Sequence, residues 1–260
     1  MTSYQTWPAR QNSSEGQPAV VGLHGFMGSA LDWRELEASL KGGYRCIFPD
    51  LPGHGQNLAG LSARPLSLTT WASGLARTLD RLGVPTAHLV GYSLGGRLAL
   101  HFACHYPQRV RSLVLESASP GLSGRVERRL RRQEDDRRAD QIRQAGMEKF
   151  LEDWYRMPLF AALQRQPELL AALQRSRAGN DPQAMARVVA ELSPGRQPGL
   201  WGKLSQVRMP VLLLAGELDG KYTALVRRMA LELPGAEVAV APGVGHNVHL
   251  EAPEWYARRV

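Results

Sequence analysis

Ser93, Asp219 and His246 are the side chains whose types and settings in this sequence could together do chemistry. A serine hydroxyl becomes a useful nucleophile or base when an imidazole takes its proton, and the imidazole works when a carboxylate fixes its tautomer. Ser93 lies in Gly91-Tyr92-Ser93-Leu94-Gly95-Gly96-Arg97. Upstream, Ala87-His88-Leu89-Val90 predicts a short buried strand; downstream, residues 97–103 have helical apolar spacing. The serine therefore falls on a sharp strand-to-helix turn, where flanking glycines leave room for the strained backbone. Asp219 follows the apolar run Val211-Leu212-Leu213-Leu214-Ala215, at the carboxyl end of a second buried strand. Glu217 is its nearest rival, and Asp219 is preferred because it lies in the turn. His246 ends the loop Gly243-Val244-Gly245, which can bring an imidazole back to Ser93.

These residues need a scaffold, and the pattern of elements supplies one. Strand-like runs occur near 18–23, 44–49, 87–92, 110–116, 210–215 and 236–241, and helix-like runs near 31–41, 68–83, 94–106, 221–233 and 252–260. Strands alternating with helices predict an α/β fold, a mainly parallel sheet covered by helices on both faces. The block 120–202 breaks the alternation, being arginine-rich and helix-periodic without a strand. The expected organisation is a core of 1–119 and 203–260 with a helical cap, 120–202, over the carboxyl edge of the sheet above Ser93. After the first run, His24-Gly25-Phe26-Met27-Gly28 forms a glycine-containing turn. The N–H of Phe26 is expected to join that of Leu94 as an oxyanion hole.

At 260 residues and 43% hydrophobic, the chain can bury a large core in one domain. No apolar run approaches the roughly 20 residues needed to cross a bilayer. Met1-Thr2-Ser3-Tyr4-Gln5-Thr6-Trp7-Pro8 lacks the basic start and apolar stretch of a signal peptide, so a cytoplasmic location is expected. The last helix begins shortly before Val260, and a few more residues of it are expected beyond. Cys46 and Cys104 are read as thiols and not as a disulfide. The net charge of +8 rests on 32 basic residues, only four of them lysine, which a compositional bias toward arginine explains. Between Arg125 and Arg143 the arginines alternate with Glu127, Glu134, Asp135, Asp136 and Asp140, a solvated helical pattern and not a phosphate-tracking surface. No nucleic-acid partner is expected. His101 and His105, with Cys104 between, mimic a metal face but lack an acidic partner or a second ligand pair, so neither metal nor organic cofactor is expected.

The chain resembles the α/β-hydrolase superfamily throughout. Leu23-His24-Gly25-Phe26-Met27-Gly28, Asp50-Leu51-Pro52-Gly53-His54-Gly55, the serine turn and the histidine loop carry the resemblance. The chain order Ser93, Asp219, His246 is that of this superfamily and not of other serine-triad folds. Within it, the sequence most resembles the 2-succinyl-6-hydroxy-2,4-cyclohexadiene-1-carboxylate synthases of menaquinone biosynthesis. The residues concerned are Tyr92, Arg97, Asp153-Trp154-Tyr155, Pro158, Phe160, and His246-Asn247-Val248-His249-Leu250-Glu251 with Pro253. Because esterases share the serine turn and histidine loop, Arg97 and the cap residues carry this finer resemblance.

The resemblance implies a lyase whose substrate is a cyclohexene bearing ring carboxylate, succinyl and enolpyruvyl groups. Guanidinium groups suit such a ligand because they bind carboxylates at two points. Arg97 is one turn into the helix that starts at the nucleophile, so its side chain can reach the pocket rim. Tyr92, Arg97, Arg131 and Arg175 are the implied substrate contacts and Trp154 a pocket wall, with Arg128, Arg132 and Arg177 able to serve instead. His246, oriented by Asp219, would draw the proton from Ser93, whose oxygen then acts as base, and pyruvate is lost. An esterase or carbon–carbon bond hydrolase acting on an acidic substrate would use the same triad. A non-catalytic small-molecule receptor of the same fold is the third reading, which retention of all three triad positions opposes.

Overall fold

The computed structural model describes residues 9–11, 16–58, 61 and 65–260, so the reading of Met1 to Pro8 lies outside the described residues. Seven strands form one sheet: β1 Ala9–Gln11, β2 Ala19–Leu23, β3 Arg45–Pro49, β4 Ala87–Tyr92, β5 Val110–Glu116, β6 Val211–Gly216 and β7 Glu237–Ala241. Their order is β1-β3-β2-β4-β5-β6-β7, with all neighbours parallel except β1, which pairs antiparallel with β3. The six parallel strands are those of the sequence reading. β1 was not anticipated, since three residues are too few to show a period of two.

Short apolar runs become parallel strands because helices cover both faces of the sheet and no face meets water. In β4, Leu89 joins one buried cluster and its neighbour Val90 the other. On the Leu89 side lie α2 Leu68–Arg81, α3 Leu94–His105 and α7 Gly220–Glu232, contributing Leu75, Phe102 and Met229. On the Val90 side lie α1 Arg34–Leu40 and α8 Pro253–Arg259, contributing Leu36 and Tyr256 around the fully buried Trp33. Ser67 starts α2 by accepting from the Thr70 N–H while Thr70 returns the bond, a reciprocal cap.

The chain runs from β3 to β4 across β2, so the turns leaving β2 and β4 lie side by side at the carboxyl edge. In open α/β sheets such a reversal opens the ligand crevice. Above the edge, between β5 and β6, the chain is helical: α4 Arg125–Tyr155, α5 Pro167–Ala178 and α6 Pro182–Glu191. Gly146 interrupts α4 with φ of 76°, a backbone that glycine adopts without penalty. Acids of α4 pair with Arg131, Arg138 and Arg143 along the helix. Asp135 binds both Arg131 and Arg138 at 2.8 Å, Glu134 binds Arg138 at 2.6 Å, and Asp140 binds Arg143 at 2.9 Å.

Cys46 and Cys104 form no disulfide. His101 and His105 stack on each other, and His101 lies 3.3 Å from the Thr69 hydroxyl. Among the described residues no group of His, Cys, Asp and Glu could hold a metal ion, and no helix is long and apolar enough to cross a membrane.

Candidate active site

The strand-to-helix turn after β4 presents Ser93 with φ 49° and ψ −106°, a conformation costly for any residue with a Cβ. Neighbouring bonds enforce it. The Ser93 N–H donates to the Glu116 carbonyl at 2.9 Å, and the Arg97 N–H to the Ser93 carbonyl at 3.0 Å. The turn also needs bare backbone on either side. A Cβ on Gly91 would lie 2.7 Å from the Gly95 oxygen, and one on Gly95 would fall onto the Leu23 carbonyl.

Asp219 follows β6 and caps α7, its Oδ1 accepting from the Tyr222 N–H at 3.1 Å. Its Oδ2 takes the other bond, 2.6 Å from His246 Nδ1. An ionised carboxylate only accepts, so Nδ1 carries the hydrogen and Nε2 is left as acceptor. Nε2 lies 3.4 Å from Ser93 Oγ, the slack contact usual before a ligand tightens the site. Asp219 and His246 are both buried. Glu217, the rival acid, is exposed and accepts instead from the Gly243 N–H.

The loop bearing His246 is held by two buried carboxylates that sequence reasoning gave no role. Glu251 accepts from the N–H groups of Gly245 at 2.8 Å and Asn247 at 3.0 Å, the residues on either side of His246. Glu116 accepts from the N–H and the ring Nδ1 of His249, at 3.1 and 2.9 Å. Glu251 stands five residues after His246 in the quoted motif; nothing local in the sequence marks Glu116, which reaches the loop only through the fold. The Tyr92 hydroxyl donates to the Asn247 side-chain oxygen, and its ring packs between those of His246 and His249. Burial and the nearby Glu116 push the Tyr92 phenol well above its ordinary range, so it stays a neutral donor.

On the other side of Ser93, the turn after β2 is fixed by His24. Its Nε2 accepts from the Leu51 N–H at 3.0 Å, so Nδ1 carries the hydrogen and donates to the Gly25 carbonyl at 2.8 Å. Burial lowers the His24 pKa, against opposing attraction from Asp32, which keeps this neutral tautomer in place. In a trans peptide the carbonyl and the next N–H point opposite ways, so holding the Gly25 oxygen aims the Phe26 N–H away from it. Leu94 is the first residue of α3, and its N–H has no intrahelical acceptor. Phe26 and Leu94 both line the cavity that contains Ser93.

That cavity, about 750 Å³, is lined by every expected site residue except Arg175. Trp154 forms part of its wall, edge-on to Phe26 with ring centres 5.6 Å apart. Arg97 is half-buried, its Nη1 donating to the Leu192 carbonyl at 2.9 Å and to Gln197 Oε1 at 2.7 Å. No carboxylate pairs with it among the described residues. Desolvation, with the Arg131 cation adding to it, brings the Arg97 pKa down to about 10, so it remains charged at neutral pH. Arg131 also faces the cavity but already shares Asp135 with Arg138.

Arg175 is a correction. It is exposed and outside the cavity, whereas Arg177 is buried, lines it and pairs with Asp32 at 2.8 Å. Residues two apart on a helix differ by about 200° in direction, so only one of the two can face inward. The inward face of α5 also carries the buried Leu173, four residues before Arg177, a spacing that sequence alone could have used.

The alpha/beta hydrolase fold family matches residues 18–253 of this chain. A putative 2-succinyl-6-hydroxy-2,4-cyclohexadiene-1-carboxylate synthase from Bacillus subtilis (strain 168) is 40% identical over 250 residues, 96% of this chain and 90% of that protein. The 2-succinyl-6-hydroxy-2,4-cyclohexadiene-1-carboxylate synthase of Serratia proteamaculans (strain 568) is 34% identical over 95% of this chain and 93% of its own. Among solved structures, MenH from S. aureus superposes with a TM-score of 0.91 at 30% identity, covering 96% of this chain and 95% of that one.

Proposed function

The chain belongs to the α/β-hydrolase fold family and, within it, to the family of 2-succinyl-6-hydroxy-2,4-cyclohexadiene-1-carboxylate synthases, and from that premise we propose that it is a lyase of menaquinone biosynthesis. Its substrate is 2-succinyl-5-enolpyruvyl-6-hydroxy-3-cyclohexene-1-carboxylate, and its products are pyruvate and 2-succinyl-6-hydroxy-2,4-cyclohexadiene-1-carboxylate. The observation that carries this reading is Arg97, a half-buried cation one helical turn from Ser93 with no carboxylate of its own. A neutral ester gives such a group nothing to pair with, whereas a polycarboxylate does.

The reaction is an elimination. His246, with Nδ1–H held by Asp219, takes the Ser93 proton at Nε2, and the serine oxygen removes the proton from the ring carbon next to the succinyl ketone. The electron pair of that C–H bond forms the new ring double bond, the existing double bond shifts by one position, and the C–O bond to the enolpyruvyl group breaks. The departing enolpyruvate takes up a proton and becomes pyruvate. Negative charge developing on the ketone oxygen is met by the N–H groups of Phe26 and Leu94. Arg97 and Arg131 bind carboxylates, with Arg177 in place of Arg175, while Tyr92 and Trp154 form the pocket wall. We read 120–202 as a cap over a core of 1–119 and 203–260. With this reading goes a cytoplasmic site of action, a small polycarboxylate as ligand, no nucleic acid and no cofactor.

The test supplies purified protein with the enolpyruvyl substrate and measures pyruvate through lactate dehydrogenase, beside hydrolysis of short-chain p-nitrophenyl esters. Rapid pyruvate release with slow ester turnover is expected. Fast ester turnover without pyruvate would replace the elimination by an esterase reaction.

A further inference from the structure

A second wall of the cavity has cations that the proposed reaction leaves without a task. α7 begins immediately after Asp219, and Lys221, Leu225 and Arg228 fall at i, i+4 and i+7 on one face of it, all lining the cavity. At 1.5 Å per residue, Arg228 lies about 12 Å along the helix from the Asp219 end, outside the reacting centre. Its guanidinium sits 4.0 Å over the centre of the Trp201 ring. That ring is fixed in turn, because Trp201 Nε1 donates to the Gly121 carbonyl at 3.0 Å.

The charges around this wall are not balanced. The carboxylates on the cavity lining are Glu127, Glu134, Asp135 and Asp219. Glu134 and Asp135 are taken by arginines of α4 and Asp219 by His246. Glu127 pairs with neither Arg228 nor Lys221, and no other carboxylate does among the described residues. A guanidinium held over an aromatic ring still has N–H donors for a two-point carboxylate contact.

We propose that Arg228, seated on Trp201, is a carboxylate subsite at the outer end of the cavity. It takes the acid group at the tip of a ligand's flexible arm while Arg97 engages an acid near Ser93. This rests on the polycarboxylate reading above. The four-carbon succinyl arm, with its carboxylate farthest from the ring, is the part of that ligand that suits it.

The experiment titrates wild type, Arg228→Ala and Trp201→Leu with two stable aromatic acids. One is 2-(3-carboxypropanoyl)benzoate, which has the ring carboxylate and the acid-tipped arm; the other is 2-butanoylbenzoate, which has the arm without its acid. Wild type is expected to bind the diacid about tenfold or more tighter, as a charge-assisted contact allows. Arg228→Ala should lose that advantage while its affinity for the monoacid stays within about twofold, and Trp201→Leu should lose part of it. Because Arg228 is exposed, the fold does not depend on it. An Arg228→Ala protein that kept the preference would overturn the subsite and leave the polycarboxylate reading standing. Equal loss on both acids would also overturn it, since Arg228 would then shape the cavity without reading the arm. A wild type that bound neither acid would overturn both readings together.

Discussion

The floor of the cavity and its rim differ in how their charges are matched. On the floor, each group that orients the triad has its partner within the protein: Asp219 with His246, Glu251 with the peptides flanking His246, His24 with the Gly25 carbonyl. Around the rim, Arg97, Lys221 and Arg228 have no carboxylate partner among the described residues, whereas Arg131 and Arg177 do. Under the proposed function the difference reads as a division of labour: the reacting groups are assembled before any ligand arrives, and selection is left to cations that an acidic ligand would complete. Preorganised groups on the floor act without rearrangement during reaction. Unpaired cations on the rim penalise every neutral ligand.

The largest effect should come from the floor. Ser93→Ala is expected to lower kcat by about a thousandfold or more, with affinity for 2-(3-carboxypropanoyl)benzoate retained. Retention of more than about a tenth of the activity would end the base role of Ser93. Asp219→Asn and His246→Ala should act in the same direction without adding to it.

At the rim, Arg97→Ala should cost about 2–5 kcal/mol in kcat/KM, the range for removing one member of a buried charge pair. Arg97→Lys should recover part of this, because the point charge returns but the two-point geometry does not. Arg175→Ala, by contrast, should leave the kinetics unchanged, and a loss comparable to that of Arg97→Ala would reverse its placement outside the cavity.

Glu251→Gln sharpens the comparison from the floor side. The amide can accept from one flanking N–H but turns its NH2 toward the other. A displaced His246 should lower kcat about tenfold to a hundredfold with KM little changed. Glu251→Asp, which keeps the charge, should recover more activity than Glu251→Gln. If KM rose and kcat held, Glu251 would belong to ligand binding and not to positioning.

The smallest effect is on stability and pH. Burial lowers the pKa of His24 and His54 beneath the core motifs, and that of His101 to about 4. Below their ordinary value near 6.5 the unfolded chain takes up protons that the folded chain refuses, so stability falls as pH drops through that point. For His101 this loss continues down to about pH 4. Tm should therefore be lower at pH 5 than at pH 7.5, with a shallower slope in His54→Phe. A slope identical to wild type would remove His54 from the balance.

The same contrast explains what the sequence revealed. Ser93 and Asp219 follow buried strands and His246 ends a glycine-containing loop after β7, where local pattern and chain order mark them. Phe26 and Leu94 lie on the turns leaving β2 and β4, which glycines mark in the sequence. The rim was harder, since Arg175 and Arg177 differ only in which face of α5 they occupy. Asp135 reads in the sequence as one of the solvated acids of α4 but is buried between Arg131 and Arg138, and Asp32 draws no notice, because its arginine partner Arg177 lies 145 positions away. Glu116 reaches the histidine loop across 133 positions of sequence. β1 is an edge strand of three residues, defined by its partner and not by its own pattern.

The division of labour is tested most directly by giving one variant, Arg97→Ala, both kinds of substrate. If the floor does the chemistry and the rim selects, pyruvate elimination should fall while hydrolysis of a neutral p-nitrophenyl ester stays level or rises, so that their ratio drops by about thirtyfold or more. A parallel fall in both activities would mean that Arg97 supports the catalytic floor itself, and the separation of chemistry from selection would be contradicted.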